Sequence, residues 1–168
     1  MNVLIVDDQP EVVESMAAGV NWTRLGAENV FTAYSVKEAQ GVFERDRIDI
    51  LLCDIEMPPT NGFALLRWVQ ERFSGVVCIF LTAHAEFEYA QEAVKLGSFD
   101  YILQPAPYKE IEESLLKLCQ KISDNRQLEQ LKKVQQYENE LPTRIADGLF
   151  LDMMENGNFD AAILNRII

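Results

Sequence analysis

Residues 49–62 read DILLCDIEMPPTNG, and the fold turns on them. Ile50, Leu51, Leu52 and Cys53 form an unbroken apolar run, closed by the charged Asp54 and then by the turn residues Met57-Pro58-Pro59. An unbroken run of this length predicts a strand buried on both faces, here Asp49 to Cys53, and such a strand needs helices above and below it. Working outward, runs of the same kind recur at Asn2 to Val6, Asn29 to Ala33, Val76 to Phe80 and Phe99 to Leu103. Between them the apolar period changes to three and four. Val12, Val13, Met16 and Val20 mark one helix, Val36, Ala39 and Phe43 a second, and Phe63, Leu66 and Val69 a third. Ala90, Ala93, Val94 and Leu96 mark a fourth, with Gly97 as its C-terminal cap, and Ile111, Leu115, Leu118 and Ile122 mark a fifth. Five strands alternating with five helices through short connections predict an α/β fold, a doubly wound open parallel sheet.

Beyond Tyr108 the pattern changes. No Gly or Pro interrupts the chain up to Leu141, and the apolar spacing shifts register after Ile122 to Leu128, Leu131 and Val134. This predicts a helical linker over residues 122–141 that leaves the domain and can pair with a second copy as a coiled coil. Pro142 opens a new pattern, with Ile145, Leu149 and Met153 four apart, and Asn156-Gly157-Asn158 makes a turn. Residues 142–168 therefore read as the start of a helical region whose apolar faces lack partners. The expectation is an N-terminal piece of a longer protein.

The 168 residues carry 27 Asp and Glu against 15 Lys and Arg, a formal net charge of −12. Residues 1–105 hold 16 acidic and 7 basic side chains, with no basic stripe to meet nucleic-acid phosphates. The longest apolar run, Val76 to Ala83, is far short of the roughly 20 residues that span a bilayer. Met1 leads straight into a strand, without a basic segment or a cleavage site, so a cytoplasmic protein is expected, neither secreted nor in a membrane. Cys53, Cys78 and Cys119 lack metal-ligand spacing and are expected as reduced thiols, with no metal or redox role. Trp22 and Trp68 read as packing residues.

An open parallel sheet places its functional site beyond the carboxyl ends of its strands, so what each strand delivers there matters. The first delivers Asp7 and Asp8, the third Asp54, the fourth Thr82, and the fifth Gln104 followed by Pro105. Taken singly, these residues have bland readings as helix caps and turns. Together, three carboxylates on adjacent strand ends repel one another and call for a cation, for which a hard divalent ion such as Mg²⁺ is suited.

Asp54 followed by Met57-Pro58 and Gly62, with Thr82 28 residues beyond Asp54 and Tyr101 19 beyond Thr82, resembles the receiver domain of two-component response regulators. The resemblance covers residues 1–121 and implies a flavodoxin-like sheet of order 2-1-3-4-5. It implies that Asp54 accepts a phosphoryl group from a sensor histidine kinase, so that the chain is a signalling phosphoacceptor and not a classical enzyme. Asp8, Asp54 and the backbone carbonyl of Glu56 would hold Mg²⁺, with Asp7 acting through water. Thr82 would turn its hydroxyl toward the aspartyl phosphate and Tyr101 would swing in behind it, remodelling the surface of the fourth helix, fifth strand and fifth helix. A cis Gln104-Pro105 bond is also implied, and Glu56 and His84 fall where the family borders the phosphoryl group. As the only histidine, His84 reads by itself as an ordinary loop residue.

The segments Asp100 to Pro107 and Glu86 to Ala90 are similar to receivers of AraC-type response regulators. This implies DNA contact and transcription control only through a C-terminal domain absent from this chain, while a homodimer is expected through the long helix after Tyr108. At one place the sequence departs from the family: the position before Pro105 is usually lysine and here is Gln104. An amide donates a hydrogen bond but brings no charge, and a charge-assisted bond is worth about 1.5–3 kcal/mol, roughly tenfold to a hundredfold in phosphoryl transfer. Two alternatives follow. One is a phosphorylation-independent receiver acting as a dimerisation or interaction module. The other is a phosphatase of the haloacid dehalogenase class, for which Glu56 could imitate the second acid but no lysine is at hand.

Overall fold

The computed structural model describes residues 1–124 and residue 132. Met1–Gln120 forms one compact unit. Its strands are β1 (Asn2–Val6), β2 (Asn29–Ala33), β3 (Ile50–Asp54), the two-residue β4 (Glu56–Met57) and β5 (Thr60–Asn61), β6 (Val77–Thr82) and β7 (Asp100–Leu103). Its helices are α1 (Pro10–Gly19), α2 (Val36–Arg45), α3 (Gly62–Arg72) and α4 (Phe87–Lys95). A fifth helix, α5, starts at residue 108 and runs to the end of the unit. In the second unit, Lys121–Ile168, residues 121–124 and 132 are helical. The coiled-coil reading of residues 122–141 beyond these positions, and the reading of 142–168, lie outside the described residues.

The five long strands form one parallel sheet in the order β2-β1-β3-β6-β7, the expected order once the short β4 and β5 are set aside. Central pairs run Val3 with Ile50 and Ile50 with Val77, so β1, β3 and β6 sit side by side. Their side chains are buried on both faces: Leu4, Ile5, Ile50, Leu51, Leu52, Ile79 and Phe80 are closed to solvent. This is why these strands read as unbroken apolar runs. Helices supply the cover, through Val13 and Met16 of α1, Ala39 and Phe43 of α2, Leu65, Leu66 and Val69 of α3, and Ile111, Leu115 and Leu118 of α5. Trp68 packs with Phe43 and Phe73, and the Trp22 indole N–H donates to the Ala17 carbonyl at 2.9 Å. Cys53 and Cys78 are buried, Cys119 is partly buried, and all three are free.

Several boundaries move. The third and fourth long strands run on to include Asp54 and Thr82, because parallel pairing continues through Asp54 with Leu81 and Thr82 with Leu103. The Met57-Pro58-Pro59 turn closes a small antiparallel hairpin, with Glu56 opposite Asn61 and Met57 opposite Thr60. Gln104-Pro105 is cis as expected, and Pro58-Pro59 is cis as well. Val94 is a correction. Its spacing put it on the buried stripe of α4, yet it is 77% exposed, and Ala93 is the one residue of α4 that is fully buried. Apolar spacing marks a face without showing that the sheet reaches it.

Candidate functional site

The chain leaves β1 toward β2 on one side and β3 on the other, so the order reverses at β1 and opens a crevice beyond its carboxyl end. Asp7 begins the turn there. Its backbone N–H donates to the Ala33 carbonyl at 3.3 Å, and its Oδ1 accepts the Gln9 N–H at 2.9 Å, which fixes the carboxylate at 7% exposure. Asp8 follows and is exposed. Asp54 ends β3, half-buried, and the nearby backbone N–H groups of Ile55 and Glu56 favour its charged form. One carboxylate oxygen from each of Asp7, Asp8 and Asp54 lies within 4.8 Å of the others.

The hairpin after Asp54 brings the chain back against it. Gly62 donates its N–H to the Ile55 carbonyl at 2.9 Å, and a Cβ on Gly62 would stand 2.2 Å from the Asp54 carbonyl oxygen. Only glycine fits so close to another backbone. Asn61, just before it, caps α3 by accepting the Ala64 N–H at 2.9 Å.

Two of these acids, Asp54 and Asp7, resist ionisation. Burial, and then the charge of Asp7, push the Asp54 carboxyl up to about 6, against the lowering effect of its backbone N–H bonds. Burial likewise raises Asp7. An octahedral ion with bonds of about 2.0–2.1 Å sets its ligand atoms about 3–4 Å apart, so this donor set fits Mg²⁺ with waters completing the shell. Such an ion would neutralise charge that the pocket otherwise suppresses by taking up protons.

An open pocket of about 420 Å³ joins these acids to Glu56, Pro58, Ala83, His84, Gln104 and Pro105. Among the expected site residues it brings together Asp7, Asp8, Asp54, Glu56 and Gln104. Among the described residues no lysine or arginine lines it, so Gln104 leaves four carboxylates without a lysine or arginine partner there. Thr82 and Tyr101 do not line it. Thr82 is 1% exposed, and its hydroxyl accepts the His84 N–H at 3.2 Å. The Tyr101 hydroxyl donates to the His84 carbonyl at 2.7 Å. Gln104 is tied to the same strand end, its N–H donating to the Thr82 carbonyl at 2.8 Å.

Two side chains bonded to Glu56 were underrated in the sequence. His84 Nε2 lies 2.8 Å from Glu56 Oε2, so this histidine is joined to the site. Tyr89 of α4 donates its hydroxyl to Glu56 Oε1 at 2.8 Å, a bond that pushes its own ionisation up to about 12. Nothing in the linear sequence pairs residue 56 with residue 89. A tyrosine at the start of a helix was visible, but its partner is set by the hairpin.

A parallel sheet of this order with acids at the ends of β1 and β3 defines a receiver-type fold, and residues 3–116 match the response regulator receiver domain family. The chain belongs to that family. It is 33% identical over 113 residues to the uncharacterized transcriptional regulatory protein YesN of Bacillus subtilis, which covers 67% of this chain and 31% of YesN. It is also similar to the receiver (REC) domain of AraT, a response regulator from Geobacillus stearothermophilus, with a TM-score of 0.69 and 31% identity over 74% of this chain and 97% of that one. A CheY-like receiver domain protein from Methanospirillum hungatei shares the fold, with a TM-score of 0.68 at 22% identity, covering 74% of this chain and 97% of that one. The chain spans 24–31% of the length of the first curated relatives it matches. No helix among the described residues is long and apolar enough to cross a membrane.

Proposed function

We propose that this chain is the receiver part of a transcription-regulating response regulator, with Asp54 accepting a phosphoryl group from a sensor histidine kinase in the presence of Mg²⁺. The observation that carries this reading is the convergence of Asp7, Asp8 and Asp54 within 4.8 Å of one another at the switch point of the sheet. Asp54 supplies the attacking oxygen, and backbone N–H groups of Ile55 and Glu56 steady its carboxylate. Asp8, Asp54 and the Glu56 carbonyl would hold the metal, with Asp7 acting through a water. When bound, the ion offsets charge on the transferring phosphoryl oxygens. Thr82 and Tyr101 serve as the switch pair, and the bonds that both make to His84 give them a shared contact to exchange. Transcription control comes from the relatives, since YesN and others carry it in their names. The division into a receiver over 1–121, a linker over 122–141 and a further region over 142–168, together with AraC-type output, dimerisation and a cytoplasmic setting, belongs to the same proposal.

A second reading has a specific observation in its favour. Among the described residues no lysine or arginine lines the pocket, which supports a receiver that signals without phosphate. Incubation with Mg²⁺ and acetyl phosphate, followed by hydroxylamine treatment, separates the two. An acyl phosphate labile to hydroxylamine in wild type and missing in Asp54→Asn supports phosphorylation. Uptake seen only in Gln104→Lys supports the phosphate-independent reading.

A further inference from the structure

Between β6 and α4 lies a residue held at three of its polar groups. His84 donates its N–H to the Thr82 hydroxyl at 3.2 Å, accepts the Tyr101 hydroxyl at its carbonyl at 2.7 Å, and sets Nε2 2.8 Å from Glu56. The other oxygen of Glu56 accepts the Tyr89 hydroxyl at 2.8 Å. One carboxylate, two residues beyond Asp54, therefore holds both the β6–α4 loop and the first turn of α4.

Tyr89 is fixed at its other end too. Its ring meets Phe63 edge-on at 5.8 Å, and Phe63 meets the core residue Phe80 at 5.0 Å. Ring and hydroxyl together leave Tyr89 one arrangement. The rest of α4 has little apolar anchorage. Ala93 is its one fully buried residue, while Phe87 and Val94 are 75% and 77% exposed. Two further polar tethers hold it, an ion pair between Arg67 and Glu92 and a bond from the Gln70 amide to the Leu96 carbonyl at 2.7 Å. Both of these reach α3. The Glu56–Tyr89 bond alone among the tethers named here reaches the loop that follows Asp54.

We propose that Tyr89 is a positioning residue: its bond to Glu56 clasps α4 to the acceptor loop, and charge arriving on Asp54 opens the clasp. The trigger rests on the phosphoacceptor reading, whereas the clasp is a property of the unmodified protein. Asp54 and Glu56 line the same pocket, and an aspartyl phosphate carrying about 1.5–2 negative charges replaces the single charge of the Asp54 carboxylate, a net gain of up to about one negative charge there. Repulsion pushes the Glu56 carboxylate outward, and α4 loses its tether to the site. This route ends on α4 and the Thr82–Tyr101 route ends on β7; they meet at His84.

Amide hydrogen exchange on the full chain tests it, read over Phe87 to Lys95 with α2 as the internal reference. Tyr89→Phe keeps the ring on Phe63 and removes only the hydroxyl, so the fold is retained. In unphosphorylated protein, α4 should exchange roughly fivefold to tenfold faster in Tyr89→Phe, as expected for losing one partly exposed bond to a charged group, with α2 unchanged. In a Glu56→Ala background the same substitution should add nothing, a dependence that ring packing alone would not produce. Unchanged or slower exchange in Tyr89→Phe, or an undiminished effect without Glu56, overturns the clasp. After incubation with acetyl phosphate and Mg²⁺, wild-type α4 should speed up and Tyr89→Phe should gain much less; equal gains refute the trigger. If intact mass shows that wild type takes up no phosphoryl group, the phosphoacceptor reading and the trigger fail, and the unphosphorylated comparison still decides the clasp.

Discussion

Replacing Asp54 by Asn should make the metal-free protein more stable, and the gain should depend on pH. Burial and the neighbouring Asp7 raise the Asp54 carboxyl from 3.8 to about 6 in the folded state. The folded protein thus holds this proton more tightly than the unfolded chain does, and ionised Asp54 opposes folding. That cost is absent below 3.8, grows between 3.8 and 6, and is complete above 6. At 1.36 kcal/mol per pH unit, the interval corresponds to about 3 kcal/mol, which solvent screening of this half-buried carboxylate reduces to about 1–2 kcal/mol. Asn keeps an oxygen for the N–H groups of Ile55 and Glu56 and carries no charge. Thermal unfolding in EDTA at pH 8 should therefore place Asp54→Asn roughly 3–8 °C above wild type. At pH 5 the linkage relation leaves about half of the free-energy gain. Saturating Mg²⁺ should shrink it at pH 8 by stabilising wild type alone. Equal midpoints in EDTA at pH 8, or a gain that does not fall at pH 5, would refute the account of an electrostatically strained pocket.

Other expectations follow from the same geometry. Mg²⁺ should raise the wild-type thermal midpoint, and Asp8→Asn should weaken that effect at least tenfold in midpoint concentration; calorimetric titration should also show affinity falling as pH drops through about 6, where Asp54 takes up its proton. Gln104→Lys supplies the cation that the pocket lacks, and phosphoryl uptake measured by intact mass should quicken roughly tenfold to a hundredfold. Gly62→Ala drives a methyl group to within 2.2 Å of the Asp54 carbonyl oxygen, and urea unfolding should show a loss of about 2–3 kcal/mol.

The sheet was legible because its central strands are buried on both faces, which leaves no choice but unbroken apolar runs such as Ile50 to Cys53. The acids were legible for a related reason: Asp7, Asp8 and Asp54 each stand where such a run stops, and a parallel sheet puts those ends together. Less was legible where position depends on a turn. The hairpin from Glu56 to Asn61 decides which way the Glu56 side chain faces, so its bonds to His84 and Tyr89 carry no pattern in the sequence. Val94 shows the converse, an apolar residue at helical spacing that the sheet does not cover.

Reductive trapping tests the central claim most directly. After incubation with acetyl phosphate and Mg²⁺, borohydride converts an aspartyl phosphate to homoserine, and peptide mass mapping locates the converted residue. Conversion at Asp54, dependent on Mg²⁺, is the predicted result. Conversion at Asp7 or Asp8, or none at any position while Gln104→Lys is converted readily, would contradict the assignment of Asp54 as a working phosphoacceptor in this chain.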